Sequence, residues 1–232
     1  MKKVAVLQSN YIPWKGYFDI ISQVDEFIFY DDVQYTNRDW RNRNKIKTPN
    51  GLLWLSVPVG EDRNRLICEV EIQGNAWQKK HWQSISQFYS KAPFFDGYKL
   101  FFENFYMNEN HANLSDMNMS LIKKICSEIL GIKTVFRDSR EFNLQGKKET
   151  RILELLEKTG ATHYLSGPAA KNYIDDRNFA TKNIKLEWMD YSGYPEYKQL
   201  FGEFEHGVSI LDLIFNVGQD SAFYVYGWRR AT

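Results

Sequence analysis

The N-terminal part of the chain alternates short apolar runs with polar breaks, and this order restricts the fold more than any other feature. Residues 4–7 form a short apolar run that ends at polar residues, as a buried strand does. A loop with Pro13 and Gly16 follows, then a helical pattern over 18–24 and a second apolar run over 27–30. Strand, loop, helix and strand in this order predict a βαβ unit with two parallel strands. Ligands of such sheets bind beyond the carboxyl ends of the strands.

The rest of the sequence continues the α/β pattern. Asn50-Gly51 separates two strand-like runs between 44 and 59, and it predicts a tight hairpin turn. Gly160 predicts the C-terminal cap of a helix over 150–158. The other predicted elements are strands over 67–72, 134–136 and 163–165, and helices that begin at 77, span 99–130 and span 208–217. We therefore predict one α/β domain over 1–232, with a mostly parallel sheet, a β-hairpin excursion and a helical insertion at about 75–130.

Composition narrows the class of protein. Thirty Lys and Arg against twenty-nine Asp and Glu leave a net charge of +1, which excludes a globally basic nucleic-acid binder but not a local basic patch. Phe, Trp and Tyr make up 16% of the chain, enough to fill a core or to line a site for flat or sugar-like ligands. Cys68 and Cys126 are predicted to be buried, reduced thiols. Without a signal-peptide pattern or an apolar run of about 18 residues, we expect a soluble cytoplasmic protein.

The most basic segment spans residues 37–47, with five basic residues and one acid. Arginine forks bind phosphate oxygens bidentately, and a tryptophan offers a stacking face. The segment therefore predicts an anion site for a phosphate or diphosphate. A solvated basic strand and a nucleic-acid site are the alternatives. The candidate binding residues in it are Asn37, Arg38, Trp40, Arg41, Asn42 and Arg43.

Few other residues have the chemistry of a site. Asp31 and Asp32 end a strand and could bind Mg²⁺, orient a sugar hydroxyl or act as a general base, or they could simply pair with the nearby arginines. His81 lies on an apolar helical stripe, which favours a core histidine. Ser166-Gly167 follows a strand and is a weak phosphate-loop signal. No His or Cys has a partner at metal-ligand spacing, so no metal site is predicted.

Ser209 and Asp212 open the last predicted helix. A serine followed by an acid three residues later is a capping-box pattern, which we take as the role of these two residues.

Several stretches of the sequence resemble the WbqC-like protein family. The matching stretches are residues 8–18, 30–35, 42–44, 77–81, 164–167 and 209–212, with Asn216 and Gly218. Residues 8–18 read QSNYIPWKGYF, where the family typically has Gln-Pro-x-Tyr-x-Pro-Trp-x-Gly-Tyr-Phe. Ser9 stands in place of the usual proline, which puts only the stiffness of that loop in doubt.

The resemblance implies a function in bacterial surface polysaccharides. It implies a transferase of O-antigen synthesis that adds an aminoacyl group, such as glycyl, to the amine of a nucleotide-linked amino-dideoxy sugar. Arg38, Arg41 and Arg43 would then hold the diphosphate, and Asp31 or Asp32 would deprotonate the sugar amine. The resemblance also makes His81 a catalytic candidate. Further substrate-binding candidates are Gln8, Tyr11, Trp14, Tyr17, Trp40, Ser166 and Gly167.

The acyl donor is left open by the sequence. Amide formation needs a carboxyl activated with ATP, or one delivered as an ester on tRNA or a carrier. The strand-loop-helix start is similar to that of adenylate-forming nucleotidyltransferases, but their His-x-Gly-His signature is absent. We therefore rank a transferase above an ATP-dependent ligase. A binding module for nucleotide sugars or nucleic acid is the alternative without chemistry.

Overall fold

The computed structural model describes residues 1–172 and 174–230, and a five-stranded parallel sheet lies at its centre. The strands in chain order are β1 (Lys3–Leu7), β2 (Glu26–Phe29), β3 (Arg43–Thr48), β4 (Gly51–Ser56), β5 (Val135–Asp138), β6 (His163–Ser166) and β7 (Lys185–Trp188). The parallel sheet has the order β5-β2-β1-β6-β7, and β3 and β4 form a separate antiparallel hairpin. The fold is therefore α/β with a parallel sheet and a hairpin excursion, as predicted.

Helices connect these strands. They are α1 (Lys15–Ser22), α2 (Ala76–Tyr89), α3 (Phe95–Glu103), α4 (Leu114–Lys124), α5 (Lys148–Thr159), α6 (Asp176–Ala180), α7 (Ile210–Val217) and α8 (Ser221–Val225). Single π turns at Asn104–Asn108 and Ile125–Ile129 continue α3 and α4. Among the described residues, none of the helices has the length and apolar character needed to cross a membrane.

The strand order creates one point where the direction of winding reverses. From β1 the chain adds β2 and β5 on one side, and then β6 and β7 on the other. Loops that leave the carboxyl ends of β1 and β6 therefore diverge to opposite faces of the sheet. In open α/β sheets such a reversal opens the crevice in which ligands bind.

Alternating side chains of the central strands fill two separate cores. Ala5 and Phe27 pack in the larger core, whereas Val4, Val6 and Ile28 pack against α5 and α6 on the other face. Successive residues of a strand point to opposite faces, so a strand buried on both sides must be apolar throughout. This explains the continuous apolar runs in the sequence.

Local signals predicted several elements correctly. Helix α1 lies between the parallel strands β1 and β2, which confirms the βαβ unit. Gly51 at the hairpin turn has φ +104°, a conformation that glycine adopts without steric cost. Gly160 caps α5 in the left-handed conformation with φ 67°.

Other predictions were wrong. The predicted strand over 67–72 is a short 3₁₀ turn, Ile67–Glu69, because Ile67 and Val70 are both fully buried at a spacing of three residues rather than two. The helical stretch over 99–130 is interrupted, and Asn113 starts α4 by accepting a hydrogen bond from the Asp116 N–H at 3.1 Å. Strand β7 was not predicted.

Two further predictions about single residues failed. Ser209 makes no side-chain capping hydrogen bond, and the Asp212 carboxylate turns into the core, where it accepts hydrogen bonds from Tyr89 and Tyr197, both at 2.9 Å. Both cysteines are free, as predicted, but Cys68 is only half-buried.

Candidate functional site

A large cleft lies at the carboxyl ends of the central strands. Its volume is about 1090 Å³. It is lined by residues that follow three strands, Gln8 and Asn10 after β1, Asp32 after β2 and Gly167 after β6. The cleft thus lies where the strand order reverses, the position expected of a ligand site in such a sheet.

Arg41 brings the positive charge of the basic segment into this cleft. Its Nη1 donates to Asn10 Oδ1 at 2.5 Å, and its Nη2 donates to Gln8 Oε1. Its backbone carbonyl accepts a hydrogen bond from Asn118 Nδ2 at 2.8 Å, which ties the segment to α4. The guanidinium is therefore held in place by two neutral amides, and its Nη2 also lies 3.6 Å from the Asp39 carboxylate; the Nη N–H groups that the amides do not use are left for an anion.

Asp32 is the acidic group at the end of β2. Its Oδ1 accepts a hydrogen bond from Ser139 Oγ at 2.5 Å, and its Oδ2 accepts one from Arg151 Nη2. The side chains of Asp32 and Arg151 are 14% and 19% exposed, so both remain in contact with the cleft. The pair fixes a carboxylate and a guanidinium side by side on the cleft wall.

The loop before α5 supplies further positive charge. Lys147 and Lys148 line the cleft, are exposed, and form no ion pair with any residue of 1–172 or 174–230. A Cβ at Gly146 would lie 2.8 Å from the Arg151 backbone nitrogen, so only glycine lets the loop approach the helix this closely. The N-terminus of α5 carries a partial positive charge and free N–H groups. Together these groups place positive charge on this side of the cleft.

The wall formed by β2 and β6 is more apolar. Tyr30, Tyr164 and Ala170 line it, with Ser166 and Gly167 at the end of β6. Burial raises the pKa of the Tyr30 phenol to about 12, against the smaller lowering by Arg151. Tyr30 therefore stays protonated at neutral pH and keeps a hydrogen-bond donor.

Asp31 lies beneath the cleft rather than in its lining. It is fully buried and accepts hydrogen bonds from the Ser9 N–H at 2.8 Å and from Ser115 Oγ at 2.5 Å. Burial raises the pKa of this carboxyl, against the lowering by these two serines. The carboxyl joins the loop after β1 to helix α4.

His81 lies in a different part of the molecule. It lines a separate cavity of about 430 Å³ that shares no lining residue with the cleft. Its Nδ1 is 2.8 Å from the Tyr11 hydroxyl, which is itself 2.7 Å from the Tyr106 hydroxyl. Burial lowers the pKa of His81 to about 4, so the ring is neutral at neutral pH.

The remaining candidates divide among several environments. Trp14 and Trp40 line a second pocket of about 280 Å³, and Asn10 belongs to both this pocket and the cleft. Asn37 and Arg38 line a third, open pocket outside the cleft. Three more candidates lie outside the cleft: Tyr11 and Tyr17 are buried in the core, and Asn42 Nδ2 donates to the Val57 carbonyl at 3.0 Å.

The basic cluster predicted from sequence is thus not assembled as a unit. Of Arg38, Arg41 and Arg43, only Arg41 lines the cleft, and the Arg43 guanidinium lies 4.3 Å from the Trp54 ring centroid. The other cations of the cleft are Lys147, Lys148 and Arg151, which sequence reasoning missed. A glycine followed by two lysines at a helix start was the signal that could have found them.

The described residues contain no group of three or more His, Cys, Asp or Glu side chains that could hold a metal ion. Asp32 and Glu149 are the acidic side chains among the cleft residues described. Glu149 is occupied by hydrogen bonds from the Asp175 N–H at 2.8 Å and from Asn178 Nδ2. Asp32 also accepts two hydrogen bonds, from Ser139 and Arg151, so what distinguishes it is its place directly beyond the carboxyl end of β2.

Comparison with known proteins identifies the family. The WbqC-like protein family model matches residues 8–224. A protein of Mycobacterium tuberculosis described as "Uncharacterized protein Rv1507c" is 49% identical over 228 residues, which cover 97% of this chain and 98% of that protein. No solved structure matches the chain significantly. The chain belongs to the WbqC-like protein family.

Proposed function

We propose that this member of the WbqC-like family is a transferase of O-antigen synthesis. It attaches an aminoacyl group, such as glycyl, to the amine of a nucleotide-linked amino-dideoxy sugar. The observation that carries the proposal is the cleft at the strand reversal, which Arg41, Lys147, Lys148 and Arg151 line together with the carboxylates of Asp32 and Glu149. Four cations against two carboxylates, one of them paired with Arg151, suit a diphosphate substrate with an ammonium group.

The diphosphate lies between Arg41 and the start of α5. Arg41 offers donors already oriented by Gln8 and Asn10. The free lysines 147 and 148 and the helix N-terminus supply charge and N–H groups on the other side. Charge-assisted hydrogen bonds of this kind are about twice as strong as neutral ones, so they dominate the affinity.

The cleft has room for a second substrate. Its volume of about 1090 Å³ is slightly above the range usual for ligand sites, about 300–1,000 Å³. The nucleoside packs on the apolar wall with Tyr30 and Ala170, which leaves space near Asn10 for the acyl donor. Both reactants can then occupy one cleft, which lowers the entropy cost of their encounter.

Asp32 acts as the general base. It accepts a proton from the sugar ammonium, and the free amine attacks the carbonyl carbon of an aminoacyl ester. The amide bond forms and the ester C–O bond breaks, the leaving alkoxide takes up the second proton that the nitrogen loses, and Asp32 releases the first proton to solvent. Arg151 holds the Asp32 carboxylate in place for this transfer.

Calorimetric titration with a nucleotide-linked amino sugar tests the binding. The double variant Lys147→Gln/Lys148→Gln loses two phosphate contacts, and we expect its Kd to rise at least tenfold. Lys79→Gln/Lys99→Gln removes the same charge from two exposed helix positions away from the cleft, so its Kd stays within twofold of wild type. Equal losses in both double variants, or no binding by the wild type, would overturn the proposal.

Turnover separates an enzyme from a binding module. Asp32→Asn should abolish amide formation and change the sugar nucleotide Kd by less than tenfold, which is about 1.4 kcal/mol. The assay supplies aminoacyl-tRNA in one arm and ATP with free amino acid in the other. Product only in the second arm would show that the protein is an ATP-dependent ligase and not a transferase. A change in Kd without any loss of turnover would show that Asp32 is not the general base.

A further inference from the structure

The hairpin carries an aromatic and basic surface beside the cleft. Residues of β3 and β4 alternate between its two faces, and Lys45 pairs with Trp54 across the strands. Arg43, Lys45 and Trp54 therefore share one face, and Trp40 packs onto it with its ring centroid 5.4 Å from that of Trp54. We call these four residues the hairpin platform.

The rings of the platform are exposed although they are large and apolar. Trp40 is 42% exposed and Trp54 is 41% exposed. Cations lie close to them, since the Arg43 guanidinium is 4.3 Å from the Trp54 centroid, and Lys45 Nζ is 5.7 Å from the Trp54 centroid and 5.9 Å from the Trp40 centroid. The platform therefore combines stacking faces with positive charge, in a chain whose net charge is only +1.

The platform leads into the cleft. Trp40 is also a wall of the pocket of about 280 Å³ that it forms with Trp14, and Asn10 joins this pocket to the cleft. Trp14 is fixed in position by Tyr191, with centroids 5.3 Å apart. It also folds back over Gly16, where a Cβ would lie 2.2 Å from the Trp14 ring. The Trp14 wall of the pocket is therefore held in place by its neighbours.

We propose that the hairpin platform binds the single-stranded end of an RNA, with its terminal base in the Trp14–Trp40 pocket. Bases stack on aromatic side chains, and nearby cations contact the phosphates, which is how proteins hold single strands. The positive charge beside both exposed rings favours an anionic partner over a neutral protein surface.

The role of this RNA rests on the proposed function. In that reaction the acyl donor is an aminoacyl ester on the terminal ribose of the RNA. The ribose then lies near Asn10, at the edge of the cleft that holds the sugar amine. The amine nitrogen bonds to the ester carbonyl carbon, the ester C–O bond breaks, and the ribose hydroxyl receives the proton that the amine loses. No ATP is needed at this step, because the ester already carries the activation.

Fluorescence anisotropy tests the binding with a labelled RNA that ends in CCA and carries no amino acid. Its length of about eight nucleotides is within the range of single-strand sites. Trp54 lines neither the pocket nor the cleft, and we expect Trp54→Ala to raise the RNA Kd about tenfold, as loss of one stacked base does. Arg43→Gln/Lys45→Gln should weaken binding and make the slope of log Kd against log salt shallower by about 1.4, or 0.7 per phosphate contact.

The matched control is again Lys79→Gln/Lys99→Gln, which should leave the RNA Kd and its salt slope within error of wild type. An equal loss in this control, or no effect of Trp54→Ala in a variant with a wild-type circular dichroism spectrum, would overturn the platform. Concentration-dependent dimers that Trp54→Ala abolishes would assign the surface to a second copy of the chain instead.

The RNA and sugar measurements fail independently. If the RNA binds as expected but no nucleotide sugar does, the platform stands and the proposed function is wrong. If nucleotide sugars bind in the cleft and the RNA does not, only the donor assignment is wrong.

Discussion

Replacing Asp31 by alanine should destabilise the fold strongly, whereas replacing it by asparagine should not. Alanine removes the acceptor of the Ser9 N–H and of the Ser115 hydroxyl, and both donors are fully buried. Each buried donor left without a partner costs about 1–3 kcal/mol. Part of this free energy is regained, because the variant avoids the cost of burying the Asp31 carboxyl, whose pKa is raised by that burial. We expect a net loss of about 3 kcal/mol from these terms.

Asparagine can keep both hydrogen bonds. Its Oδ1 accepts from the Ser9 N–H, and its amide N–H donates to the Ser115 oxygen after the hydroxyl rotates. For a chain of this size 1 kcal/mol corresponds to about 2–4 °C in Tm, so Asp31→Ala should lower Tm by about 6–12 °C and Asp31→Asn by less than about 3 °C. Differential scanning calorimetry measures both. Turnover of Asp31→Asn should equal that of wild type.

The pH dependence gives a second measure of the same group. Burial in the folded state raises the pKa of Asp31 above its ordinary value of 3.8, so the unfolded chain releases the proton first as the pH rises. The free energy of unfolding of wild type, relative to Asp31→Asn, should therefore fall as the pH rises from about 3.8 through the folded pKa, and then stay level. A difference that grows with pH, or a stable Asp31→Asn protein without turnover, would refute the structural role.

Two further residues give sharp tests. Burial lowers the pKa of His81 from 6.5 to about 4 in the folded protein. Wild type should therefore lose about 3 kcal/mol of stability relative to His81→Gln as the pH falls from 6.5 towards 4, which urea unfolding measures. An NMR titration of the ring with a midpoint near 6.5 would contradict this. Gly146→Ala should push the loop off Arg151 and weaken sugar nucleotide binding about tenfold, because its Cβ would lie 2.8 Å from a backbone nitrogen. The control Gly97→Ala adds a Cβ with nothing within 4 Å inside α3, and it should raise stability by about 0.5–1 kcal/mol without changing the Kd.

The adjacent acids at the end of β2 show how far sequence reasoning reaches. The strand itself is identified by its apolar run, and its carboxyl end places Asp31 and Asp32 near the ligand edge. Successive side chains of an extended segment point to opposite sides, so one of the two turns into the core and the other into the cleft. The partner that packs against each side chain decides its direction: Ser115 of α4 contacts Asp31 in the core, and Arg151 of α5 contacts Asp32 in the cleft. A local pattern contains neither partner.

For the basic segment over residues 37–47, the sequence predicted a grouping of side chains that the fold does not form. Five cations close together in sequence predicted one anion site, but of these five only Arg41 lines the cleft. Asn44 turns inward and donates to the Ile12 carbonyl at 2.8 Å, whereas Arg43 and Lys45 turn outward onto Trp54. Arg41 precedes the strand and is free to turn towards Gln8. Period-two alternation in the predicted hairpin would have placed Arg43 and Lys45 on one face and Asn44 on the other, but it contains no signal for the direction of Arg41, which precedes the strand.

The cleft combines segments that are far apart in the chain, and this explains why its two halves differ in predictability. The loops after β1, β2 and β6 are found from local patterns, because each follows an apolar strand directly. Lys147 and Lys148 reach the same cleft only because α5 packs on the face of the sheet that Val4 and Val6 cover. That docking depends on tertiary packing. The core that contains Val4 and Val6 therefore fixes the position of Lys147 and Lys148, which hold the phosphate in the proposed function. Mutations that loosen this core should weaken nucleotide binding before they unfold the sheet.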